Sequence, residues 1–407
     1  MLRHLLKLSW HRKRANALVG LEILISFLVL FAVSALGIST ARGMRAPLGY
    51  QYRDVLRVAI ESHMRDESAS ADELETARQL LRAVQALPEV ETAATAEIVP
   101  YTSMQARDGR AVNGRMQMFG YSDVGDAFQD VMQIEIARGR WFSREDDGAA
   151  YRPAVITADL GRAFFGDADP IGRNFPEDPP LPSPGQPAAA PIPPTRVVGV
   201  MDAYRGEGEF TPVGPYALVR STLSGPRQQV PRGMVVRVRP GTPQSFEETL
   251  VKTLEGAAHD WSFTVEALPE LREAARKRTL TPLAVLSLVA AFLMLMVGLG
   301  LTGVLWQNVT KRTKEFGLRR AAGATSRQIS MQIVAEMWIV TTLAVLLGAA
   351  VVLQLPLLSL VSWLTPGSFA VGLGVAVGSL YGLTAACSLY PGWLAMRVTP
   401  SDALRYE

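Results

Sequence analysis

Six lysines, four histidines and one cysteine are the side chains with which this 407-residue chain could do phosphate, metal or nucleophilic chemistry, and their spacing offers none. A nucleotide-binding loop needs Gly-x-x-x-x-Gly-Lys-[Ser/Thr], because backbone N–H groups and the lysine together cradle the phosphates. No lysine here follows a glycine. His4, His11, His63 and His259 show no HExxH-like spacing, and Cys387 stands alone, so no zinc or metalloprotease site is expected. A Gly-x-Ser-x-Gly elbow is missing too. The carboxylates Asp146, Asp147, Asp167 and Asp169 read as solvated loop charges. We therefore expect no catalytic residue, no metal and no cofactor bound by these 407 residues.

The chemistry that remains is recognition. Residues 311–329, KRTKEFGLRRAAGATSRQI, form a basic amphipathic segment between two long apolar runs, 282–306 and 333–361. Phe316, Leu318, Ala321 and Ala322 can form a small apolar surface, with Arg312, Arg319 and Arg320 around it and Gly317 and Gly323 punctuating it. Glu315 precedes Arg319 by four residues, a helical pair worth a few tenths of a kcal/mol. One reading is a basic loop lying on anionic lipid headgroups. The other is a protein dock, which we prefer, because lipid adsorption does not need specific apolar residues bounded by glycine.

The elements that must position this segment are membrane helices. Hydrophobic residues make up 48% of the chain and mean hydropathy is +0.15, but the apolar residues concentrate in four runs, 18–38, 282–306, 333–361 and 369–389. Each is roughly 20 residues or longer, enough to cross a hydrocarbon layer of about 30 Å as a helix. The first run follows the basic leader MLRHLLKLSWHRKR and has a weak cleavage-like triplet at Val33-Ser34-Ala35. It exceeds the usual signal-peptide core of about 15 residues, so an uncleaved helix is favoured. Lys and Arg crowd the leader and the 311–329 loop and are absent from 362–368. That bias places both termini and the basic loop in the cytoplasm and the long 40–280 segment outside.

The outer segment contains no cysteine and must hold together by its core. Strand patterns at 55–60, 90–99, 112–121, 234–238 and 262–265, with helix patterns at 71–87 and 244–256, read as β-α-β twice with a large insertion. The fold class expected is an α-helical membrane protein with four transmembrane helices plus an α+β extracytoplasmic domain, a ferredoxin-like split βαβ unit with an inserted β-rich module. The module shows strand signals at 154–157 and 196–200. Between them the Pro/Ala-rich stretch 175–195 cannot build a core and reads as an exposed loop, a tolerated insertion before a partner-recognition element. Residues 266–279 are helical in pattern and run almost directly into the second apolar run, with only Thr281-Pro282 able to interrupt them.

Inside the membrane, Gly374, Gly378 and Gly382 recur every four residues. That spacing suits a packing seam against another helix, in the same chain or across a dimer, although a Gly-rich helix of no special role has the same look. Glu336 is placed by this reading in the first turn of its helix, where the dipole favours an anion. Glu22 is harder to dismiss and is expected to face a partner helix or a basic residue.

The segment from Arg312 to Ala324 resembles the cytoplasmic signature of FtsX/MacB-type ABC transporter permeases, roughly R-x-R-E-I-G-x-R-x-A-x-G-A, with Lys314 for Arg and Phe316 for Ile. Three further stretches are similar to that family. They are Gly139-Arg140-Trp141-Phe142 followed by the stretch from Phe164 to Gly172, then Arg196 to Val200, and the tail from Tyr390-Pro391 to Glu407. The resemblance runs in order along the whole chain. It implies a permease in the bacterial inner membrane that pairs with a second permease, identical or paralogous. It implies that Arg312, Glu315, Phe316, Gly317, Leu318, Arg319, Arg320 and Gly323 dock on a soluble ABC ATPase dimer, which binds the ATP and Mg. With only about 17 residues before the first helix, a separate ATPase subunit is expected. Membrane lipid is a further partner, a periplasmic adaptor protein has room in the scheme, and nucleic acid has none.

The expected segments are a cytoplasmic leader (1–17), helix 1 (18–39), a periplasmic domain (40–280), helix 2 (281–306), a coupling segment (307–332), helix 3 (333–361), a short periplasmic loop (362–368), helix 4 (369–390) and a cytoplasmic tail (391–407). The periplasmic domain divides into a porter-like part (50–133 and 226–267), an inserted module (134–225) and a stalk helix (268–280). The function implied is export or efflux of a peptide, drug or similar substrate by ATP-driven mechanotransmission. Alternatives are lipoprotein extraction by the same architecture and a membrane scaffold or sensor without an ATPase. The orientation is testable with a reporter active only outside the cytoplasm. Fusions after His63 or Asp260 should be active and fusions after Ser326 or Glu407 silent; activity at Ser326 reverses the orientation.

Overall fold

The structure, a computed structural model, describes residues 13–62, 70–176, 193–211, 214–223, 230–311, 318–319, 323, 325–358 and 364–397. In chain order it begins with α1 (Lys13–Arg45), β1 (Val55–Ser62), α2 (Ala71–Gln85), β2 (Val90–Thr95), β3 (Arg107–Val112), β4 (Arg115–Val124), α3 (Phe128–Met132) and β5 (Arg138–Gly139). It continues with β6 (Arg152–Thr157), α4 (Ala158–Phe165), β7 (Thr195–Met201), β8 (Tyr216–Arg220), β9 (Gly233–Val238), α5 (Phe246–Ala257) and β10 (Trp261–Ala267). Three long helices close the described chain: α6 (Leu268–Lys311), α7 (Ser326–Leu357) and α8 (Pro366–Arg397). The chain divides into two compact units, Met1–Arg42 with Thr279–Glu407, and Gly43–Arg278.

The membrane unit is helical because hydrocarbon offers backbone N–H and C=O groups no partner except one another. Its candidate spans are Leu18–Arg45, Leu268–Lys311, Val334–Pro356 and Pro366–Ser388. The helices themselves outrun the expected boundaries. α6 does not stop at Thr281-Pro282 but carries Pro282 inside it, since a proline removes one backbone bond while a break would orphan several. α7 starts at Ser326 rather than 333 because Thr325 caps it: Thr325 Oγ1 accepts from the Gln328 N–H at 3.3 Å and Gln328 returns the bond at 2.9 Å. Glu336 therefore lies about three turns inside α7, and the expected dipole stabilisation of a first-turn anion does not apply to it.

The Gly43–Arg278 unit contains two sheets. The first has the order β10-β1-β9-β2 with every neighbouring pair antiparallel. α2 connects β1 to β2 and α5 connects β9 to β10. Leu80 and Val84 of α2 and Phe246, Leu250 and Leu254 of α5 bury with Val58, Ala93 and Val236 in one apolar cluster. Ser70 starts α2 with a capping box to Glu73.

The second sheet has the order β3-β4-β8-β6-β7-β5 and is mixed, with β4–β8 and β6–β7 parallel. α4 packs on it through Leu160 and Phe164, against Ile156, Val197 and Val219. A further core cluster joins residues of both sheets, including Val55, Ala94 and Val235 of the first and Val155, Met201 and Leu218 of the second. The inserted module thus begins earlier than the expected residue 134, since β3 and β4 already belong to the second sheet. The strand read at 112–121 corresponds to the turn and most of β4, and β3, which pairs with it in a hairpin, precedes it at Arg107–Val112. Asn113 and Gly114 both take positive φ, 49° and 75°, as the two-residue turn between right-twisted strands requires.

Polar anchoring in this unit runs through arginine–carboxylate forks. Arg140 donates to both oxygens of Asp146 at 2.8 and 2.6 Å, and the Ser143 N–H adds a third bond at 3.1 Å. The Arg140 hydrogen bonds hold the Asp146 carboxyl below its ordinary value, against the opposing effect of burial. A depressed folded pKa means that the stabilisation is present above the unfolded value of about 3.9 and disappears as pH falls through the folded one. Asp146→Ala is expected to cost about 1–2 kcal/mol at neutral pH, through the lost cap and fork, and to weaken the acid dependence of unfolding. Denaturant titrations between neutral and strongly acidic pH measure both.

Candidate functional site

Of the expected dock, Leu318, Arg319 and Gly323 fall within the described residues, while Arg312, Glu315, Phe316, Gly317 and Arg320 lie outside them. Leu318 is 72% exposed. Gly323 sits at φ +96°, with open space where a Cβ would point. A side chain there is strained by its backbone rather than by collision. Arg319 Nη1 donates to Gln332 Oε1 at 2.6 Å, and Gln332 Nε2 donates to Glu336 Oε1 at 3.2 Å. This chain of bonds ties the segment to the first turns of α7, a link that the expected Glu315–Arg319 pairing did not foresee.

Among the described residues of the membrane unit, helices approach one another at other glycines than the expected three. A Cβ at Gly374, Gly378 or Gly382 meets no described atom of this chain within 4 Å, which leaves the same-chain seam to others and the cross-dimer seam untouched. One at Gly372 falls 3.0 Å from the Ala35 Cα, and one at Gly348 runs into the Phe27 ring. Gly300 makes room for Glu22, whose Oε2 lies 2.8 Å from the position of an added Cβ. Small-residue contacts of this kind replace the hydrophobic driving force that lipid abolishes. Gly372→Val is expected to lower the thermal stability of the detergent-solubilised protein by several degrees, whereas Gly378→Val leaves the fold intact. Fluorescence-detected size exclusion after heating separates the two.

A second cluster, which no spacing in the sequence announced, sits in the Gly43–Arg278 unit on the loop 202–211. Glu209 is buried, at 4% exposure, and holds two partners. The Tyr101 hydroxyl donates to Oε2 at 2.6 Å and Arg272 Nε, from α6, donates to Oε1 at 2.5 Å. The Arg272 guanidinium also lies 4.8 Å over the Tyr52 ring, a cation–π contact. Burial, and next the bond to Glu209, push the Tyr101 hydroxyl well above its ordinary pKa, so it remains a donor. Tyr101 adopts φ +70°, a region bulky residues avoid at a cost of about 1–2 kcal/mol.

Four residues before Glu209, Arg205 is also buried. Its Nη1 donates to the Gly43 carbonyl at 2.5 Å and its Nη2 to the Thr211 carbonyl. Its backbone N–H donates to the Leu48 carbonyl at 3.1 Å. Gly43 is required here, since a Cβ would fall 2.7 Å from the Glu209 carbonyl oxygen. Gly208 gives the Tyr101 ring its space, because a Cβ there would fall 2.5 Å from the ring. Beside the cluster opens a cavity of about 700 Å³ whose lining includes Gly49, Tyr52, Glu135, Asp202, Glu209 and Arg272. Among the described residues no three His, Cys, Asp or Glu side chains converge on a metal position. What the arrangement can do is hold α1 and α6 to one loop.

Comparison with known proteins agrees with a chain made of membrane helices and an α+β unit. The MacB-like periplasmic core domain family matches residues 18–252, more than half of the chain. The FtsX-like permease C-terminal family matches residues 287–400. A macrolide export ATP-binding/permease protein MacB from Bordetella avium is 27% identical over 99% of this chain and 59% of its own length. One from Bdellovibrio bacteriovorus is 27% identical over 72% of this chain and 44% of its own. The chain thus spans about half the length of the relatives it matches. The periplasmic region of MacB from Actinobacillus actinomycetemcomitans superposes on 56% of this chain and 94% of its own at 11% identity and a TM-score of 0.36, which adds nothing to the family match. The chain belongs to the FtsX-like permeases that carry a MacB-like periplasmic core domain.

Proposed function

We propose that this chain is the permease of an ABC transporter of the MacB/FtsX type, and that it turns ATP hydrolysis by a partner ATPase into movement of the Gly43–Arg278 unit. The observation that carries this reading is the continuity of α6. One helix runs from the end of β10 through a span long and apolar enough to cross a bilayer and is described as far as Lys311, next to the expected dock. An uninterrupted helix passes on displacement along its axis, which a linker cannot do. In this reading the partner binds the ATP and Mg, which the lack of a P-loop among these 407 residues supports. The Lys/Arg bias supports an inner-membrane orientation with the α+β unit in the periplasm. A second permease, identical or paralogous, and a periplasmic adaptor complete the assembly we envisage. Macrolides, named in the relatives' descriptions, are the first substrates to test, among drugs and peptides.

The dock carries the experiment. Buried apolar anchors dominate such interfaces and rim charges contribute less. Phe316→Ala and Gly323→Asp are expected to abolish capture of the ATPase and substrate-stimulated ATP turnover while leaving membrane levels unchanged; Arg312→Ala is milder. Pull-down of the ATPase by wild-type and variant permeases, with turnover measured alongside, decides it. If Phe316→Ala captures and stimulates the ATPase as wild type does, the segment is a lipid-facing basic loop.

A further inference from the structure

We propose that the loop 202–211 is a latch between α1 and α6, that Arg205 is its fixed arm, and that the Glu209–Arg272 pair is the arm that opens in each transport cycle. This rests on the reading above, that these helices carry ATP-driven movement. It adds the residues that decide when they move together.

The last carbonyls of a helix have no partner within it. Gly43 stands two residues before the end of α1, and its carbonyl accepts from the Ala46 N–H at 3.2 Å and, on its second lone pair, from Arg205 Nη1. Gly43 also lets the loop backbone come close enough for that bond. Arg272 lies in the second turn of α6, and its partner Glu209 belongs to the same loop as Arg205. One short loop therefore grips both helices at the points where they join the α+β unit.

The two arms differ in their access to water. Arg205 is buried, with three carbonyl-directed anchors counting its backbone bond to Leu48. The Arg272 side chain is 34% exposed and borders the cavity. On separation Arg272 can be rehydrated from the cavity. Glu209 borders the same cavity but is far more deeply buried, at 4% exposure, and keeps Tyr101 as its remaining partner. A buried carboxylate stripped of its cation is costly, so the open state is a minor one that needs work from elsewhere. Tyr101, held at a strained φ with its hydroxyl on Glu209, is pre-set to receive that charge. The loop therefore stays with α1 and releases α6.

The test uses the full permease with its ATPase in nanodiscs, in a Cys387→Ser background, with spin labels at the exposed residues Asp202 and Lys277. Wild type is expected to show a longer 202–277 distance in the ATP/vanadate-trapped state than without nucleotide. Glu209→Gln and Arg272→Gln should show the longer distance before nucleotide is added, and about fivefold or more loss of transport per ATP. Their double variant should be no worse than either alone. Tyr101→Phe, which keeps the fold's volume, and Gly43→Ala, which displaces the loop by one methyl, should shift the same distance in smaller degree. If Glu209→Gln cannot be purified, the half-exposed Arg272→Gln gives the same readout. A wild-type shift that survives unchanged in Arg272→Gln overturns the latch. So does a wild type that transports without any change in distance. Failure of the wild type to capture an ATPase instead overturns the functional reading beneath it, and the latch falls with that reading.

Discussion

The pairing of β1 with β10 is the constraint on which the rest of the α+β unit depends. Leu56 lies opposite Ala267 and Ser62 opposite Trp261, so the strand that enters the unit and the strand that leaves it are neighbours. α1 ends at Arg45, ten residues before β1, and α6 begins at Leu268 with no residue between it and β10. The unit is therefore an insertion whose two ends emerge side by side, the geometry in which insertions are tolerated. The device repeats one level down. The second sheet is spliced between β2 and β9, which are again antiparallel neighbours. Each splice leaves and returns through adjacent strands, so neither disturbs the sheet that hosts it.

That arrangement explains why a buried ion pair occurs where it does. Leu268 is fully buried in the core shared by the two sheets, with Leu271 and Ala275 packed against it. The first turns of α6 thus present one apolar face to the core. Arg272 follows the apolar Leu271 and finds a carboxylate rather than hydrocarbon. A hydrophobic pair of similar volume would hold as well or better, since buried ion pairs repay their desolvation poorly. What an ion pair offers instead is directionality: the joint is either made or broken, with little between.

Much of this was legible in the sequence. Apolar runs of membrane length and the Lys/Arg bias reveal the four helices, and alternation reveals β1, β9 and β10. The module boundary differs because the strand pattern at 112–121 reads as part of the first sheet, while β3, on the other side of the Asn113-Gly114 turn, has mostly charged and small residues in its RDGRAV run and gives no apolar alternation. The loop 202–211 was not legible at all. Its function depends on a carbonyl at Gly43, a hydroxyl at Tyr101 and a guanidinium at Arg272, and none of these is near it in the chain. Gly206 and Gly208 flanking Glu207 mark a tight loop, but sequence cannot say what lies against it. The expected stripe Gly374, Gly378 and Gly382 shows the converse. Its period is clear, yet only a partner's position can tell a seam from a bare face.

The membrane unit is held by a different set of interactions from the α+β unit. Between lipid-surrounded helices there is no hydrophobic driving force, so packing and sparse polar bonds must suffice. Here they are Thr341 to Thr384 at 3.1 Å, Thr342 to Tyr381 at 2.7 Å and Arg42 to Ser368 at 2.9 Å. Interhelical hydrogen bonds of this kind are worth only about 0.6 kcal/mol on average. Helices joined so weakly can slide or tilt at small cost. The turns of α1 and α6 embedded in the α+β unit cannot, because they are fixed by a close-packed core and by buried charges.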